Sequence, residues 1–278
     1  MTPTPPAASV DGQRRTAWRV IDQAVRTYDP SHVFALFSGG HDSLCSTAVA
    51  ADHPSFTAAV HVNTGIGIAA TREFVRETCE REGWPLLEYE PPESYDEIVL
   101  EHGFPGPGAH GFAYIRLKER CFDSLVRDHK TGRRTKILLV TGARSQESKR
   151  RMGHVEPIFP EFESVKVWVA PNHGWTKADC NAFIDARGYA RNPVVEAIHM
   201  SGECLCGAFA TAIEERPLIG ALYPEVEQRI RDLELRAEAA GVRACEWGKE
   251  PPDVHPGQLQ VLDKPTMHAC RCDIRSAV

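Results

Sequence analysis

Two groups of residues have the types and the spacing to do chemistry. The first is Ser38-Gly39-Gly40-His41-Asp42-Ser43. A Gly-rich turn between a buried strand and a helix N-terminus offers backbone N–H groups and the positive end of the helix dipole to an anion. Gly39 and Gly40 lack the Cβ that would block its approach. Ser38 and Ser43 add hydroxyl donors, and Asp42 has two roles open to it, holding Mg²⁺ or capping the helix that begins near Ser43. There is no G-x-x-x-x-G-K-[ST], so this is not a Walker-type loop, and Gly65-Ile66-Gly67 is too short a signal for a dinucleotide fingerprint. The second group is Gly202-Glu203-Cys204-Leu205-Cys206-Gly207 together with His268-Ala269-Cys270-Arg271-Cys272. Two C-x-C units supply four thiolates for a tetrahedral zinc or a cubane 4Fe-4S cluster, and cysteine count alone does not separate the two.

These residues need elements to position them. Helical spacing runs from Gln13 to Tyr28, and Asp29-Pro30-Ser31 ends it. The apolar run Val33 to Phe37 reads as a buried strand leading into the Gly-rich turn, with a small-residue helix from Leu44 to Ala51. The alternation continues with a strand at 57–62, a helix at 71–82 and a strand at 85–89. After a Gly/Pro-rich loop come a basic helix at 114–128 and a strand at 136–141. Val165 to Ala170 reads as a further strand, and Thr176 as the N-cap of a helix from Lys177 to Arg187. The pattern predicts an α/β fold, a mostly parallel twisted sheet with helices on both faces. Beyond Asn192-Pro193 it turns helical, notably at 224–240, and then irregular. The expected organisation is a disordered start at 1–12, an α/β domain at 13–200 and a helical, cysteine-containing C-terminal region at 201–278.

The chain has 278 residues, 42% of them hydrophobic and 25% charged, the composition of an ordinary globular protein. No apolar run approaches the roughly 20 residues that span a bilayer, and the N-terminus lacks a basic and apolar leader, so a cytoplasmic protein without membrane contact is expected. Nine cysteines form an odd set in a chain too large to need disulfide staples. Net charge is -6, unevenly spread: residues 113–153 hold twelve Lys/Arg against four Asp/Glu. That segment reads either as a solvated face or as a phosphate-binding surface. Within it, Arg144, Arg150 and Arg151 follow the C-terminal end of a strand, where open α/β sheets place ligands, and guanidinium forks suit phosphate oxygens.

The loop at 38–43 is similar to the signature S-G-G-x-D-S of the PP-loop ATP pyrophosphatases, which closes the first strand of an adenine nucleotide α-hydrolase fold. Three later segments resemble the phosphoadenosine phosphosulfate (PAPS) reductase branch of that superfamily: Asn63-Thr64-Gly65 with Thr71 to Phe74, Thr141-Gly142-Ala143-Arg144 with Glu147-Ser148 and Arg150-Arg151, and Trp175 to Asp179 with Asn192-Pro193. The resemblance implies ATP contacts at Ser38, Gly39, Gly40, His41, Asp42, Ser43, Thr64, Gly65, Gly142 and Arg144, with Asp42 and Arg144 catalytic. It implies substrate or phosphate contacts at Lys118, Arg150 and Arg151. It also favours a 4Fe-4S cluster over zinc at Cys204, Cys206, Cys270 and Cys272. Relatives often place a cluster ligand just before the basic helix, where this chain reads Ala113-Tyr114-Ile115-Arg116. Cys121 is the substitute nearest to that position, while Cys45, Cys79, Cys180 and Cys245 read as ordinary thiols.

Three functions follow as expectations. The first is an ATP-dependent sulfurtransferase resembling the DNA-phosphorothioation and tRNA-thiolation enzymes, with a nucleic-acid substrate and a cysteine desulfurase as sulfur donor. The second is a phosphoadenylyl-sulfate or adenylyl-sulfate reductase. Its relatives carry a degenerate loop and a C-terminal E-C-G-[IL]-H nucleophile, whereas this chain has the full loop and ends after Cys270-Arg271-Cys272. The third is a non-enzymatic nucleotide- or nucleic-acid-binding subunit with a structural zinc.

Overall fold

The computed structural model describes residues 7–106, 109–132, 135–146, 156–208 and 215–249. Their centre is a six-stranded sheet of β1 (His32–Leu36), β2 (Phe56–Val62), β3 (Leu86–Tyr89), β4 (Ile137–Val140), β5 (Ile158–Pro160) and β6 (Lys166–Val169), in the order β3-β2-β1-β4-β6-β5. All neighbours pair parallel except β5, which runs antiparallel to β6 at one edge. β1 lies between β2 and β4, so the chain leaves it towards one side of the sheet and later returns on the other. At such a reversal open α/β sheets place a ligand crevice, here at the C-terminal ends of β1 and β4.

Strand residues are apolar on both faces because both faces are covered. Val33, Ala35, Leu138 and Val140 pack against α1 (Ala7–Tyr28), α2 (His41–Ala51) and the neighbouring helices. Phe34, Ile137, Leu139 and Trp168 join Tyr114, Cys121, Phe122 and Leu125 on the other face. The alternation between the two sets is the period-2 pleat of a strand. Helix α1 begins at Ala7, inside the stretch expected to be disordered, and Val10 on its first turns is buried in the core. Helix α2 begins three residues earlier than its apolar pattern, at His41, since the Gly-rich turn feeds directly into it.

Helix α3 (Ala69–Glu82) follows β2, ending on a left-handed Gly83. Helix α4 (Tyr95–His102) was not legible as a helix, although Ser94 and Glu97 form a reciprocal capping box at its start. The basic helix is built in three parts: α5 (His110–Tyr114), a π-helical turn over Ile115–Glu119, and α6 (Arg120–His129). Helix α7 (Lys177–Arg187) is capped by Thr176 as the sequence predicts, and Asn192 caps the short α8 (Pro193–Ile198).

The described residues past 200 share a core with earlier parts of the chain. Helix α9 (Glu215–Leu222) and α10 (Pro224–Ala239) bury Ile219, Val226, Ile230, Leu233 and Ala237 in one cluster with Ile66, Ile68, Tyr95, Ile98, Leu117 and Val194. Arg216 of α9 clamps two carboxylates of α10, Glu227 at 3.0 Å and Glu234 at 2.6 Å. This third cluster lies against the β2–α3 connection, so it borders the crevice. No helix among the described residues is long and apolar enough to cross a membrane.

Candidate nucleotide site

The loop begins where β1 ends. Phe37 still donates its N–H to the Val60 carbonyl at 2.8 Å, and Ser38 leaves the sheet. Ser43 closes the turn: its hydroxyl donates to the Gly40 carbonyl at 2.9 Å, accepts the Ser38 N–H at 3.3 Å and lies 3.1 Å from Ser38 Oγ. Gly40 is the N-cap of α2 and carries no side-chain cap, so the amide dipoles of the helix start face the crevice.

The two glycines differ in why they are glycines. Gly39 has φ +78°, and a Cβ there would stand 2.7 Å from Thr71 Cγ2, so the fold itself forbids a side chain. Gly40 has φ −79° and ψ 157°, a backbone any residue adopts, and a Cβ there would come no nearer than 3.7 Å to any atom. Packing does not demand a glycine at 40.

Neighbouring segments lock the loop. Asn192 donates its amide to the Gly39 carbonyl at 3.0 Å and to Thr71 Oγ1 at 3.2 Å. Asn172 donates to the Asp42 carbonyl at 3.0 Å. At Gly142 a Cβ would fall 2.6 Å from the Asp42 carbonyl carbon and the Ser43 nitrogen, so the turn after β4 rests directly on the first turn of α2. That contact places Arg144 Nε 2.8 Å from Asp42 Oδ2. Asp42 therefore binds an arginine rather than capping the helix. Asp179 belongs to the same corner: burial pushes its carboxyl up, but bonds from Gln13 and Thr176 and the charge of Arg144 outweigh this and hold it below the usual carboxylate range.

His41 is almost fully buried, with Nε2 3.3 Å from Glu196 Oε1. Burial and then the charge of Arg191 lower its pKa, so at neutral pH the ring is uncharged and offers one donor and one acceptor. Gly65 turns with φ +77°, its N–H donated to Asn63 Oδ1 at 3.0 Å. Thr64, expected to contact ATP, is fully buried instead, its N–H donated to Glu203 Oε1 at 3.0 Å and its hydroxyl to the Glu203 carbonyl. It anchors the cysteine-bearing loop.

On that loop the neighbouring Cys206 thiol holds Cys204 down to about 6 against the opposing effect of burial, with the Lys118 ammonium adding to it, while Cys206 is pushed up. Lys118 sits on the π-helical turn over Ile115–Glu119. The loop is held from the other side by Tyr95, whose hydroxyl donates to the Cys206 carbonyl at 2.9 Å, and by Trp247, whose indole donates to the Leu205 carbonyl at 2.7 Å.

Cys121 does not join them. It packs in the core between α6 and the sheet, donates to the Leu117 carbonyl, and burial pushes its thiol to about 12. Arg116 and Arg120 of the basic segment are both paired with Glu93. Arg150, Arg151, Cys270 and Cys272 lie outside the described residues. The residues that sequence reasoning missed are Asn172, Asn192, His61 and Glu203. Only Glu203, within Gly202-Glu203-Cys204, and Asn192, within Asn192-Pro193, stood in segments that drew notice.

A phosphate-accepting turn at the reversal point of a parallel sheet, followed by an uncapped helix, defines a nucleotide-binding α/β protein. Within that class the chain belongs to the phosphoadenosine phosphosulfate reductase domain family, which it matches over residues 32–201. No curated protein matches it in sequence. Among solved structures it is similar to phosphoadenylyl-sulfate (PAPS) reductase from Candida auris in a phosphate complex, with TM-score 0.49 and 16% identity over 70% of this chain and 94% of that one. It is also similar to FMN adenylyltransferase from Candida glabrata in complex with FMN and the ATP analogue AMPCPP, with TM-score 0.50 and 14% identity over 71% of this chain and 65% of that one. The chain thus spans just under two thirds of the adenylyltransferase. At these identities the likeness is one of fold.

Proposed function

We propose that the chain is an enzyme that binds ATP at Ser38 to Ser43 and activates a substrate by adenylylation, releasing pyrophosphate, ahead of sulfur transfer. The observation that carries this reading is Gly40, a glycine that neither its backbone angles nor its neighbours require, at the entrance of an uncapped helix. A loop kept only for packing has no use for it.

In this reading the amides of Gly39, Gly40 and the first turn of α2 receive the β- and γ-phosphates, with the hydroxyl of Ser38 beside them. A substrate oxygen attacks the α-phosphorus, the α–β bridging P–O bond breaks, and pyrophosphate leaves into the loop. Preorganised donors that meet the developing charge need no reorganisation at that moment. Arg144 fixes the carboxylate of Asp42, leaving its other oxygen to hold Mg²⁺, which when bound neutralises the triphosphate. A sulfide-level nucleophile then attacks the substrate atom that bears the adenylylated oxygen, the bond from that atom to the oxygen breaks, and AMP leaves carrying the oxygen.

Cys204 and Cys206 suit a thiophilic metal: two neighbouring sulfurs, one of them with its pKa held down to about 6. With Cys270 and Cys272 they would complete a four-thiolate set for a 4Fe-4S cluster or zinc, and a cluster would supply sulfur or electrons there. The nucleic-acid substrate draws less support, because Arg116 and Arg120 are engaged within the fold.

The reaction is tested by ATP–pyrophosphate exchange across a panel of DNA, tRNA and small acceptors. Exchange with any acceptor supports adenylylation. Release of sulfite from PAPS in the absence of ATP would instead establish the reductase that the family also contains.

A further inference from the structure

The buried pair His61 and Glu203 ties the two chemical regions together. His61 lies on β2 with no exposed surface, and Glu203 is 2% exposed. His61 Nδ1 is 2.8 Å from the carbonyl oxygen of Phe37, the residue before Ser38. A carbonyl only accepts, so Nδ1 carries the hydrogen. The other ring nitrogen, Nε2, lies 3.2 Å from Glu203 Oε2; a bond across that gap takes one further hydrogen, on the ring or on the carboxyl, and among the described residues neither buried atom has another partner. Glu203 in turn immediately precedes Cys204.

The rest of the loop is latched in the same place. Glu203 accepts two bonds from Thr64, and Ile68 donates its N–H to the Gly202 carbonyl at 2.8 Å. Gly67 comes so close that a Cβ would stand 2.6 Å from the Glu203 carbonyl oxygen. Thr71 donates its hydroxyl to the Ser201 carbonyl, and Ser201 Cβ is the nearest atom to a Cβ built on Gly40. An unpaired carboxylate or imidazole at this depth is costly, so a packing role alone would be better served by apolar residues.

We infer that His61 and Glu203 are positioning residues, a latch that holds the Cys204-bearing loop in register with the phosphate loop. The inference deepens the proposed function, since it fixes where the thiols stand relative to the bound nucleotide, and it rests on that reading only for its second measurement. Breaking the latch frees Cys204 without touching the phosphate loop's own residues.

The test is the rate of carbamidomethylation of Cys204 by iodoacetamide in the full chain stripped of metal by a chelator and without nucleotide, read by peptide mass spectrometry, with metal content checked in every variant and buried Cys79 as internal control. Glu203→Ala is expected to raise the Cys204 rate by at least about fivefold, the scale of a coupling between sites, with Cys79 unchanged. Glu203→Gln, which keeps an acceptor for Thr64 and offers an amide N–H to His61 Nε2, is expected to restore the wild-type rate. If the alanine variant fails to fold, Thr64→Val, which removes one bond at constant volume, is read in the same way. A Cys204 rate equal to wild type in the variant that folds, or a glutamine variant no better than alanine, overturns the latch. Titration of ATP into the same proteins is the second measurement, with weaker binding expected when the latch is broken. Absence of ATP binding to the wild-type chain refutes the nucleotide reading, while the labelling still decides the latch.

Discussion

Arg144 Nε stands 2.8 Å from Asp42 Oδ2, which joins the turn after β4 to the first turn of α2 across the reversal point of the sheet. Arg144 is only 9% exposed, so the pair is largely shielded from water. Its carboxylate partner belongs to the phosphate loop. Asp42→Asn keeps the size of the side chain and removes its charge. ATP–pyrophosphate exchange is expected to fall by about 10²-fold or more, the loss typical of one preorganised electrostatic group. Thermal unfolding should show the folded state retained. Exchange at the wild-type rate would remove Asp42 from the mechanism.

The two loop glycines separate fold from function. Gly39→Ala forces a Cβ against Thr71 at a positive φ and should lower stability, by roughly 1 kcal/mol or more for the backbone conformation alone. Gly40→Ala meets no close neighbour and should fold normally while losing ATP affinity. Denaturant titration and ATP binding on both variants check this. A Gly40→Ala chain that binds ATP like wild type would return the glycine to a packing role.

Metal content tests the cysteines. Cys204→Ser and Cys272→Ser in the full chain are each expected to lose iron or zinc in anaerobic elemental analysis, because a hydroxyl is a poor substitute for a thiolate ligand. Full occupancy in both variants would place the ligands elsewhere. Iron with a visible absorbance band distinguishes a cluster from colourless zinc.

Stability should fall on mild acidification. Burial lowers the pKa of His41, His53 and His32 below 6.5 in the folded chain. The unfolded chain therefore takes up protons first as pH drops through about 6.5, which favours unfolding, and the contribution is fully present only above that value. Denaturation midpoints at pH 7.5 and 5.5 measure it, and His41→Gln should reduce the difference. A midpoint that rises on acidification would contradict the assignment.

The legible parts of this chain are those whose signals are local. The strand–turn–helix unit at 33–51 shows itself through an apolar run, two glycines and small residues, all within about 20 positions. The helix at Lys177–Arg187 declares its start through the Thr176 cap, and the buried face of Pro224–Ala239 repeats at helical spacing. Helix α4 and strand β5 escaped notice because each is too short for a period to emerge, eight residues in one and three in the other.

The sequence by itself determined the parallel α/β architecture, the position of the phosphate loop and the two C-x-C units, because each depends on residue type and short-range spacing. Tertiary structure alone decided what these residues touch. It gave Asp42 the partner Arg144, and Thr64 bonds to Glu203. It set Cys121 in a core away from the Cys204–Cys206 pair, and it brought His61 to Glu203 across 142 positions of chain. Such contacts form only once the sheet and its crossovers exist, and no local pattern encodes a distance between residues so far apart in sequence.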